Sequence, residues 1–248
     1  MPAHVTEIFS SVQGEGLLNG CRQVFIRLGG CNLRCAFCDT PVVEADFCLV
    51  ERSPGSQNFK RIQNPLEASA VAEIAAGFNL AIHHSISITG GEPLLHVPFI
   101  KELAPLLTGL TRQGLYLETN GSLPDQLEQV VHLFDYIGMD IKLPSTAGIS
   151  PLWEEHRRFL EIAASRRVFV KVVVGEDTAD LEIEQAAALI REQDRVREIT
   201  MIIQPVTPAG VVTGTISPQK ALHLQSLALK RLSNVLLIPQ THKLMGQL

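Results

Sequence analysis

The sequence predicts one α/β domain built on parallel strands, either an open sheet or a barrel. Short runs rich in Val and Ile, typical of buried parallel strands, alternate about six times with amphipathic helical stretches. No change of composition marks a boundary within the 248 residues, so residues 1–248 are expected to form a single unit. Polar and glycine-rich motifs follow the predicted strands, where parallel α/β proteins form their sites.

Element boundaries follow from the hydrophobic pattern and from helix start signals. The predicted strands are Val24–Leu28, Ser85–Thr89, Leu115–Thr119, Tyr136–Ile141, Val168–Val174, Glu198–Ile203 and Val235–Ile238. The predicted helices are Leu66–Leu80, Val97–Thr111, Pro124–Val131, Pro151–Ser165, Ala179–Gln193 and Pro218–Leu232. Ser150-Pro151 and Ser217-Pro218 each predict a hydroxyl N-cap followed by Pro. An extended segment, His4–Phe9, precedes the first strand, and an irregular insertion is expected at about 42–65.

Composition excludes several classes of function. The formal net charge is -5 and no Lys/Arg stripe is present, so a nucleic-acid partner is not expected. No apolar run approaches the roughly 18 residues of a membrane span, and the first residues lack the features of a signal peptide. Three of the five cysteines lie within eight residues, unlike a secreted disulfide framework. We therefore expect a cytoplasmic protein in a reducing compartment.

Cys31, Cys35 and Cys38 follow the first predicted strand and form the most informative cluster. Three thiolates in one short loop can bind a four-iron cluster and leave one iron open to another ligand. A structural zinc site is the alternative, with Cys21, Cys48 or a histidine as the fourth ligand. Zinc sites more often use two separated ligand pairs, which favours the cluster. Cys21 and Cys48 are then expected to be ordinary small apolar residues.

Further motifs follow the other predicted strands on the same side of the sheet. Any one of them could be a simple turn, but their recurrence predicts loops that converge on one mouth. These motifs are Gly90-Gly91-Glu92-Pro93, Glu118-Thr119-Asn120-Gly121, Asp140-Ile141-Lys142, Gln204-Pro205-Val206-Thr207 and Gln240-Thr241-His242-Lys243.

The cysteine loop, with Phe37 before its last cysteine, resembles the signature of the radical S-adenosylmethionine superfamily. Gly90-Gly91-Glu92-Pro93 resembles the GGEP motif of that superfamily. Further residues resemble the 7-carboxy-7-deazaguanine synthase family of queuosine biosynthesis. They are Glu7–Phe9, Val12–Gly16, Phe25–Leu28, Cys38–Thr40, Thr89, Glu118–Gly121 and Gln240–Lys243.

The resemblance implies a partial, modified TIM-type (βα)6 barrel with the radical S-adenosylmethionine core. It implies ring contraction of 6-carboxy-5,6,7,8-tetrahydropterin to 7-carboxy-7-deazaguanine with loss of ammonia. The implied cofactors are a 4Fe–4S cluster, S-adenosylmethionine and Mg²⁺. The implied partners are the pterin, an electron donor such as flavodoxin or ferredoxin, and a second copy of the chain in a homodimer.

The resemblance also implies roles for particular residues. The cluster ligands are Cys31, Cys35 and Cys38, and the Mg²⁺ ligand is Thr40. The S-adenosylmethionine contacts are Phe37, Cys38, Asp39, Gly91, Glu92, Asp140, Ile141, Lys142, Gln204, Pro205, Val206 and Thr207. The substrate contacts are Val12, Gln13, Gly14, Glu15, Arg27, Thr89 and His242.

Several of these residues have a second interpretation. Asp140 and Lys142 could form only an exposed ion pair. Arg27 lies in an otherwise apolar strand and requires an anionic partner, which could be the substrate carboxylate or Glu15 or Glu118. Thr40 could be a helix cap, and His242 with Lys243 could be a polar tail.

Two rival functions remain at this point. A glycyl-radical activase would share the cysteine loop, but it does not resemble Val12–Gly16 or Cys38–Thr40. A non-catalytic module with structural zinc is the second rival.

Overall fold

The computed structural model describes residues 1–40, 45–193 and 198–247. Within these ranges, ten strands form one continuous sheet. In chain order the strands are β1 (Val5–Val12), β2 (Arg22–Leu28), β3 (Phe47–Glu51), β4 (Phe59–Gln63), β5 (Ser85–Gly90), β6 (Leu115–Thr119), β7 (Tyr136–Ile141), β8 (Arg167–Val174), β9 (Met201–Pro205) and β10 (Val235–Leu237). The α-helices are α1 (Ala68–Ala76), α2 (Val97–Leu107), α3 (Pro124–Glu128), α4 (Pro144–Ala147), α5 (Trp153–Ala163), α6 (Asp180–Gln193), α7 (Pro218–Leu229) and α8 (Thr241–Leu244).

Seven strands run parallel and follow one another across the sheet in chain order, from β2 through β5, β6, β7, β8 and β9 to β10. Every connection steps in the same direction, as in a TIM-type barrel, whereas a doubly wound sheet reverses at a switch point. β1 pairs antiparallel with β2, and the β3–β4 hairpin extends that edge. In the described sheet β10 and β4 are the two ends, so the barrel is partial.

The helices form an outer layer around the sheet. Successive contacts join α1 to α2, α3 to α5, α5 to α6 and α6 to α7. Outward-facing strand residues such as Ile88, Leu117 and Ile137 are buried in the main hydrophobic core under these helices. Because side chains alternate between the faces of a strand, the residues between them point into the barrel.

The barrel interior is layered along the strands. Near the amino ends an apolar cluster of Leu18, Tyr116, Phe169 and Ile202 fills the space. Two residues further along each strand, the inward positions become polar. These are Glu118 after Tyr116, Lys171 after Phe169 and Gln204 after Ile202. The polar layer is therefore the base of the cavity that opens at the carboxyl ends of the strands.

The seven parallel strands and six main helices are confirmed in type and order, with shifted ends. β9 begins at Met201 rather than Glu198, and α1 ends before Gly77 rather than at Leu80. The N-cap at Ser217 is confirmed, since its hydroxyl accepts from the Lys220 N–H at 3.3 Å. The N-cap at Ser150 is wrong, because α5 begins only at Trp153.

The insertion expected at about 42–65 is less irregular than its composition indicated. Its described part, residues 45–65, contains the antiparallel strands β3 and β4, while residues 42–44 lie outside the described ranges. The expected extended segment His4–Phe9 is part of β1. None of the described helices is long and apolar enough to cross a membrane.

Candidate functional site

A cavity of about 640 Å³ opens where the carboxyl ends of the parallel strands meet. This volume lies in the usual range for small-molecule sites. Most residues singled out by the sequence line its wall. They are Val12, Gln13, Gly14, Glu15, Arg27, Cys31, Cys35, Phe37, Cys38, Asp39, Thr40, Thr89, Gly91, Asp140, Lys142, Gln204, Val206, Thr207 and His242.

Three expected S-adenosylmethionine contacts are placed differently. Ile141 is fully buried in the hydrophobic core, on the opposite strand face from Asp140. Glu92 is also fully buried and does not line the cavity. Pro205 alternates with Gln204 and likewise lies outside the wall. In this arrangement the side chains of these three residues do not reach the cavity.

The cysteine loop follows β2 and presents all three thiols to the cavity. Burial raises the pKa of Cys31 and of Cys35, and the neighbouring thiols raise both pKa values further. The Leu33 N–H donates to Cys31 Sγ at 3.4 Å. Three soft donors in one loop are suited to iron–sulfur binding, and a bound metal would hold them as thiolates.

The alternative zinc ligands lie elsewhere. Cys48 is fully buried in the main core, and this burial raises its pKa to about 12. Cys21 packs against the apolar cluster at the base of the barrel. In residues 1–40, 45–193 and 198–247, no group of three or more His, Cys, Asp or Glu side chains is arranged to hold a single metal ion. Cys48 is thus a core residue and Cys21 a partly buried one, and neither lines the cavity with the three loop cysteines.

Gly90-Gly91-Glu92-Pro93 packs directly against the cysteine loop. A Cβ at Gly91 would overlap the carbonyl oxygen of Gly30 and lie 2.8 Å from the Cβ of Cys31, so only glycine allows this approach. The Glu92 carboxylate accepts from the N–H groups of Leu94 at 3.0 Å and Asn120 at 2.8 Å. Burial raises the pKa of Glu92 to about 7, although these hydrogen bonds oppose the shift. Glu92 therefore ties the motif to the turn after β6.

Two buried acceptors in the cavity wall lack a hydrogen-bond donor among the described residues. They are Asp140 Oδ1 and Gln204 Oε1. An unsatisfied buried acceptor costs about 1–3 kcal/mol, which a ligand carrying hydroxyl or amine donors would recover. S-adenosylmethionine carries ribose hydroxyls and an ammonium group, so these two atoms fit its chemistry.

Asp140 and Lys142 form a largely buried pair rather than an exposed one. Lys142 Nζ lies 2.8 Å from Asp140 Oδ2, and the two side chains are only 13% and 12% exposed. The same ammonium lies 5.2 Å from the centroid of the Phe37 ring, a cation–π distance. Lys142 thereby connects the strand end to the cysteine loop.

A second lysine, Lys171 on β8, was not singled out by the sequence. It pairs with Glu15 and lies 3.2 Å from Asp140 Oδ2. Burial opposes the charged ammonium, but Glu15 and Asp140 outweigh burial and raise the pKa of Lys171. Burial would raise the pKa of Glu15, but Lys171 and Gln240 lower it to about 2. Lys171 is the one charged residue within Val168–Val174, the same signal that marked Arg27.

Arg27 pairs with neither of the acidic residues considered from the sequence. Its Nε lies 2.8 Å from Glu7 on the neighbouring strand, where β1 and β2 bring the two into register. Glu118 instead accepts from Gln13 at 2.9 Å and from Ser87 at 2.7 Å. The partner is thus Glu7, which lines the cavity beside Arg27.

The C-terminal segment lies over the cavity and is not a free polar tail. The Thr241 N–H donates to the Gly14 carbonyl at 3.0 Å, and Lys243 Nζ lies 2.6 Å from Asp39. A Cβ at Gly14 would overlap the His242 ring, so this contact requires glycine. The segment joins the loop after β1 to the cysteine loop.

Comparisons with known proteins agree with this geometry. The family described as the Radical SAM superfamily matches residues 25–147. The 7-carboxy-7-deazaguanine synthase of Geobacter sulfurreducens is 50% identical, over 99% of this chain and 98% of that protein. The protein of the same name from Methanothermobacter thermautotrophicus is 36% identical, again over 99% and 98%.

Two solved structures share the fold. The crystal structure of QueE from Escherichia coli matches with a TM-score of 0.60 and 20% identity, covering 97% of this chain and 94% of that one. A radical SAM methyltransferase from Sphaerobacter thermophilus matches with a TM-score of 0.59 and 14% identity, covering 94% and 77%. The relatives match over their full length, and the cysteine loop and its cavity agree with them. The chain therefore belongs to the 7-carboxy-7-deazaguanine synthase family of radical S-adenosylmethionine enzymes.

Proposed function

We propose that the chain catalyses the conversion of 6-carboxy-5,6,7,8-tetrahydropterin to 7-carboxy-7-deazaguanine, with loss of ammonia. Two observations support this function. The chain is 50% identical along its whole length to an enzyme of that name, and the residues that resemble the family meet in one cavity. The product places the reaction in queuosine biosynthesis.

When bound, the 4Fe–4S cluster and S-adenosylmethionine supply the radical that removes a hydrogen atom from the pterin. The protein contributes orientation and exclusion of water. Cys31, Cys35 and Cys38 would hold the cluster. Asp140 and Gln204 would accept hydrogen bonds from S-adenosylmethionine, and Gly91 would allow the cofactor to approach the backbone.

Other residues of the cavity wall bind the pterin. Arg27, held by Glu7, contributes a planar guanidinium that matches the substrate carboxylate. Gln13, Glu15, Thr89 and His242 surround the ring system together with the backbone of Val12 and Gly14. Glu15 is ionised at neutral pH, so it accepts hydrogen bonds from the N–H groups of the pterin.

Mg²⁺ would bind at Thr40, two residues after Cys38. Mg²⁺ prefers oxygen ligands, keeps several waters and often shares its coordination with a substrate. The Thr40 side chain lines the cavity, so its hydroxyl and the substrate carboxylate would both be available to the ion. The Cys38-Asp39-Thr40 segment thus provides a cluster ligand and a magnesium ligand.

The remaining assignments concern the whole protein. Residues 1–248 form one radical S-adenosylmethionine domain, which assembles as a homodimer in the cytoplasm. Flavodoxin or ferredoxin supplies the electron. Size-exclusion chromatography with light scattering tests the dimer, since a monomer at micromolar concentration would contradict it.

The deciding experiment is anaerobic reconstitution followed by turnover of the carboxypterin, with and without Mg²⁺. We expect ammonia and a product of the mass of 7-carboxy-7-deazaguanine, both faster with Mg²⁺. S-Adenosylmethionine cleavage without ammonia would favour the glycyl-radical activase instead. Zinc without iron, and no cleavage under a strong reductant, would contradict both radical functions.

A further inference from the structure

Asn120 lies in the turn after β6, at the interface with the cysteine loop. It is only 5% exposed, and none of the roles assigned above uses it. Its side-chain Nδ2 donates to Asn32 Oδ1 at 3.0 Å and lies 3.9 Å from Cys31 Sγ. The two N–H groups of the amide therefore face the cysteine loop, one at a side-chain carbonyl and one at a sulfur.

The other side of the amide is equally constrained. Asn120 Oδ1 accepts from the Ser122 N–H at 3.0 Å and from the Ser122 hydroxyl at 2.5 Å. Ser122 Oγ in turn accepts from Asn32 Nδ2 at 2.8 Å. Asn32, Asn120 and Ser122 thus form a closed ring of hydrogen bonds. The ring fixes which end of the Asn120 amide carries the oxygen, so a donor must face Cys31.

The backbone of Asn120 is held from both directions. Its N–H donates to Glu92 at 2.8 Å, and its carbonyl lies 3.2 Å from His156 Nε2. Burial lowers the pKa of His156 to about 4, and Nε2 is the donor in this contact because a carbonyl oxygen can only accept. Asn120 can therefore shift little without moving Glu92 or His156.

We propose that Asn120 is a positioning residue for Cys31. The side-chain N–H of Asn120 donates to the Cys31 thiolate and thereby raises the reduction potential of the cluster. Hydrogen bonds to cluster sulfurs are among the factors that set this potential, because they stabilise the more negative reduced state. The Leu33 N–H already donates to the same sulfur, which makes Cys31 a doubly hydrogen-bonded ligand. The proposal rests on the cluster and not on the identity of the substrate.

The test is the midpoint potential of the reconstituted cluster, measured by an anaerobic titration followed by electron paramagnetic resonance without substrate. Asn120→Asp keeps the shape and the acceptor for Ser122 but replaces the donor by a carboxylate oxygen. Asn120→Leu keeps the volume and removes both polar groups. We expect both variants to shift the potential to more negative values, Asn120→Asp more than Asn120→Leu.

Two further variants make the result interpretable. Asn234→Asp is the matched control, since Asn234 donates to Thr200 outside the cavity wall, and we expect the parent potential. Ser122→Ala keeps the Asn120 donor but opens the ring, so we expect a smaller shift in the same direction.

Full iron content with the parent potential in both Asn120 variants would overturn the proposal. If both variants lose iron, Ser122→Ala decides, and an unchanged potential in that variant would overturn it. A parent protein that binds iron but fails to release ammonia from the carboxypterin would refute the proposed function and leave this test unaffected.

Discussion

The two ends of the cavity are built from different kinds of interaction. The cluster end, defined by Asn32, Glu92, Thr119, Asn120 and Ser122, is held by short hydrogen bonds among amides and hydroxyls around one carboxyl group. The charged end, defined by Glu7, Glu15, Arg27 and Lys171, is held by ion pairs.

This difference agrees with the ligand that each end is proposed to bind. Fixed dipoles stabilise a cluster whose charge changes on reduction, because they need little reorganisation. Fixed charges bind an anionic pterin. They are already paired with one another, because an unpaired buried charge would destabilise the empty protein. The two ends should therefore respond differently to substitution.

The largest effect should follow from breaking the cluster end at a ligand. Cys35→Ser is expected to abolish both iron binding at full stoichiometry and turnover, because three thiolates are needed to hold the cluster. Iron and sulfide analysis after anaerobic reconstitution measures this. Cys48→Ala is the control, since Cys48 is a core residue and its variant should retain iron. A loss of iron in that variant would contradict the purely structural role of Cys48.

Replacing Lys171 at the charged end should reduce turnover only partly, but it should reduce the free energy of unfolding strongly. Lys171→Met leaves Glu15 without its cation, and removing one partner of a buried pair costs about 3–5 kcal/mol. Anaerobic chemical unfolding measures the loss. Lys220→Met is the control, because its pair with Asp180 is more exposed and should contribute no more than about 1 kcal/mol. Equal losses in the two variants would contradict a buried role for Lys171.

Thr40→Ala sharpens the comparison, since Thr40 lines the cavity two residues after the cluster ligand Cys38. We expect a complete cluster but loss of most of the stimulation by Mg²⁺, because the ion loses its only assigned protein ligand. Turnover is measured against Mg²⁺ concentration, with Thr108→Ala, at an exposed position directly after α2, as the control. A Mg²⁺ response equal to that of the parent would remove Thr40 from the magnesium site.

The smallest effect concerns the pH dependence contributed by Glu92. Its pKa of about 7 in the folded protein lies above its ordinary 4.5, so the native state keeps a proton that the unfolded chain releases. The contribution of Glu92 to stability is thus fully present below about pH 4.5 and decreases as the pH rises towards 7. Between these values the parent should lose stability relative to Glu92→Gln. Parallel curves of melting temperature against pH would contradict this. Glu161→Gln, on the exposed face of α5, controls for the loss of a carboxylate.

The sequence predicted least well which side chains in the site form ion pairs with each other. Arg27 was correctly identified as an inward cation that needs an anion, but Glu7 was not among the partners considered. The choice depends on the register between β1 and β2, and a shift of one residue would move the side chain to the other face. Likewise, Asp140 and Lys142 line the cavity, whereas Ile141 between them faces the core, because side chains alternate between the faces of a strand.

The sequence by itself determined the parallel α/β class, the cysteine loop, the glycine at position 91 and the order of the motifs along the rim. These features depend on local spacing, because a loop of eight residues and an alternating strand contain their own geometry. The tertiary structure decided that Lys171 bridges Glu15 and Asp140, and that Asn120 meets Cys31 across 89 positions of the chain. Such contacts form only when the curvature and strand register of the barrel bring separate loops together. No local pattern encodes that distance.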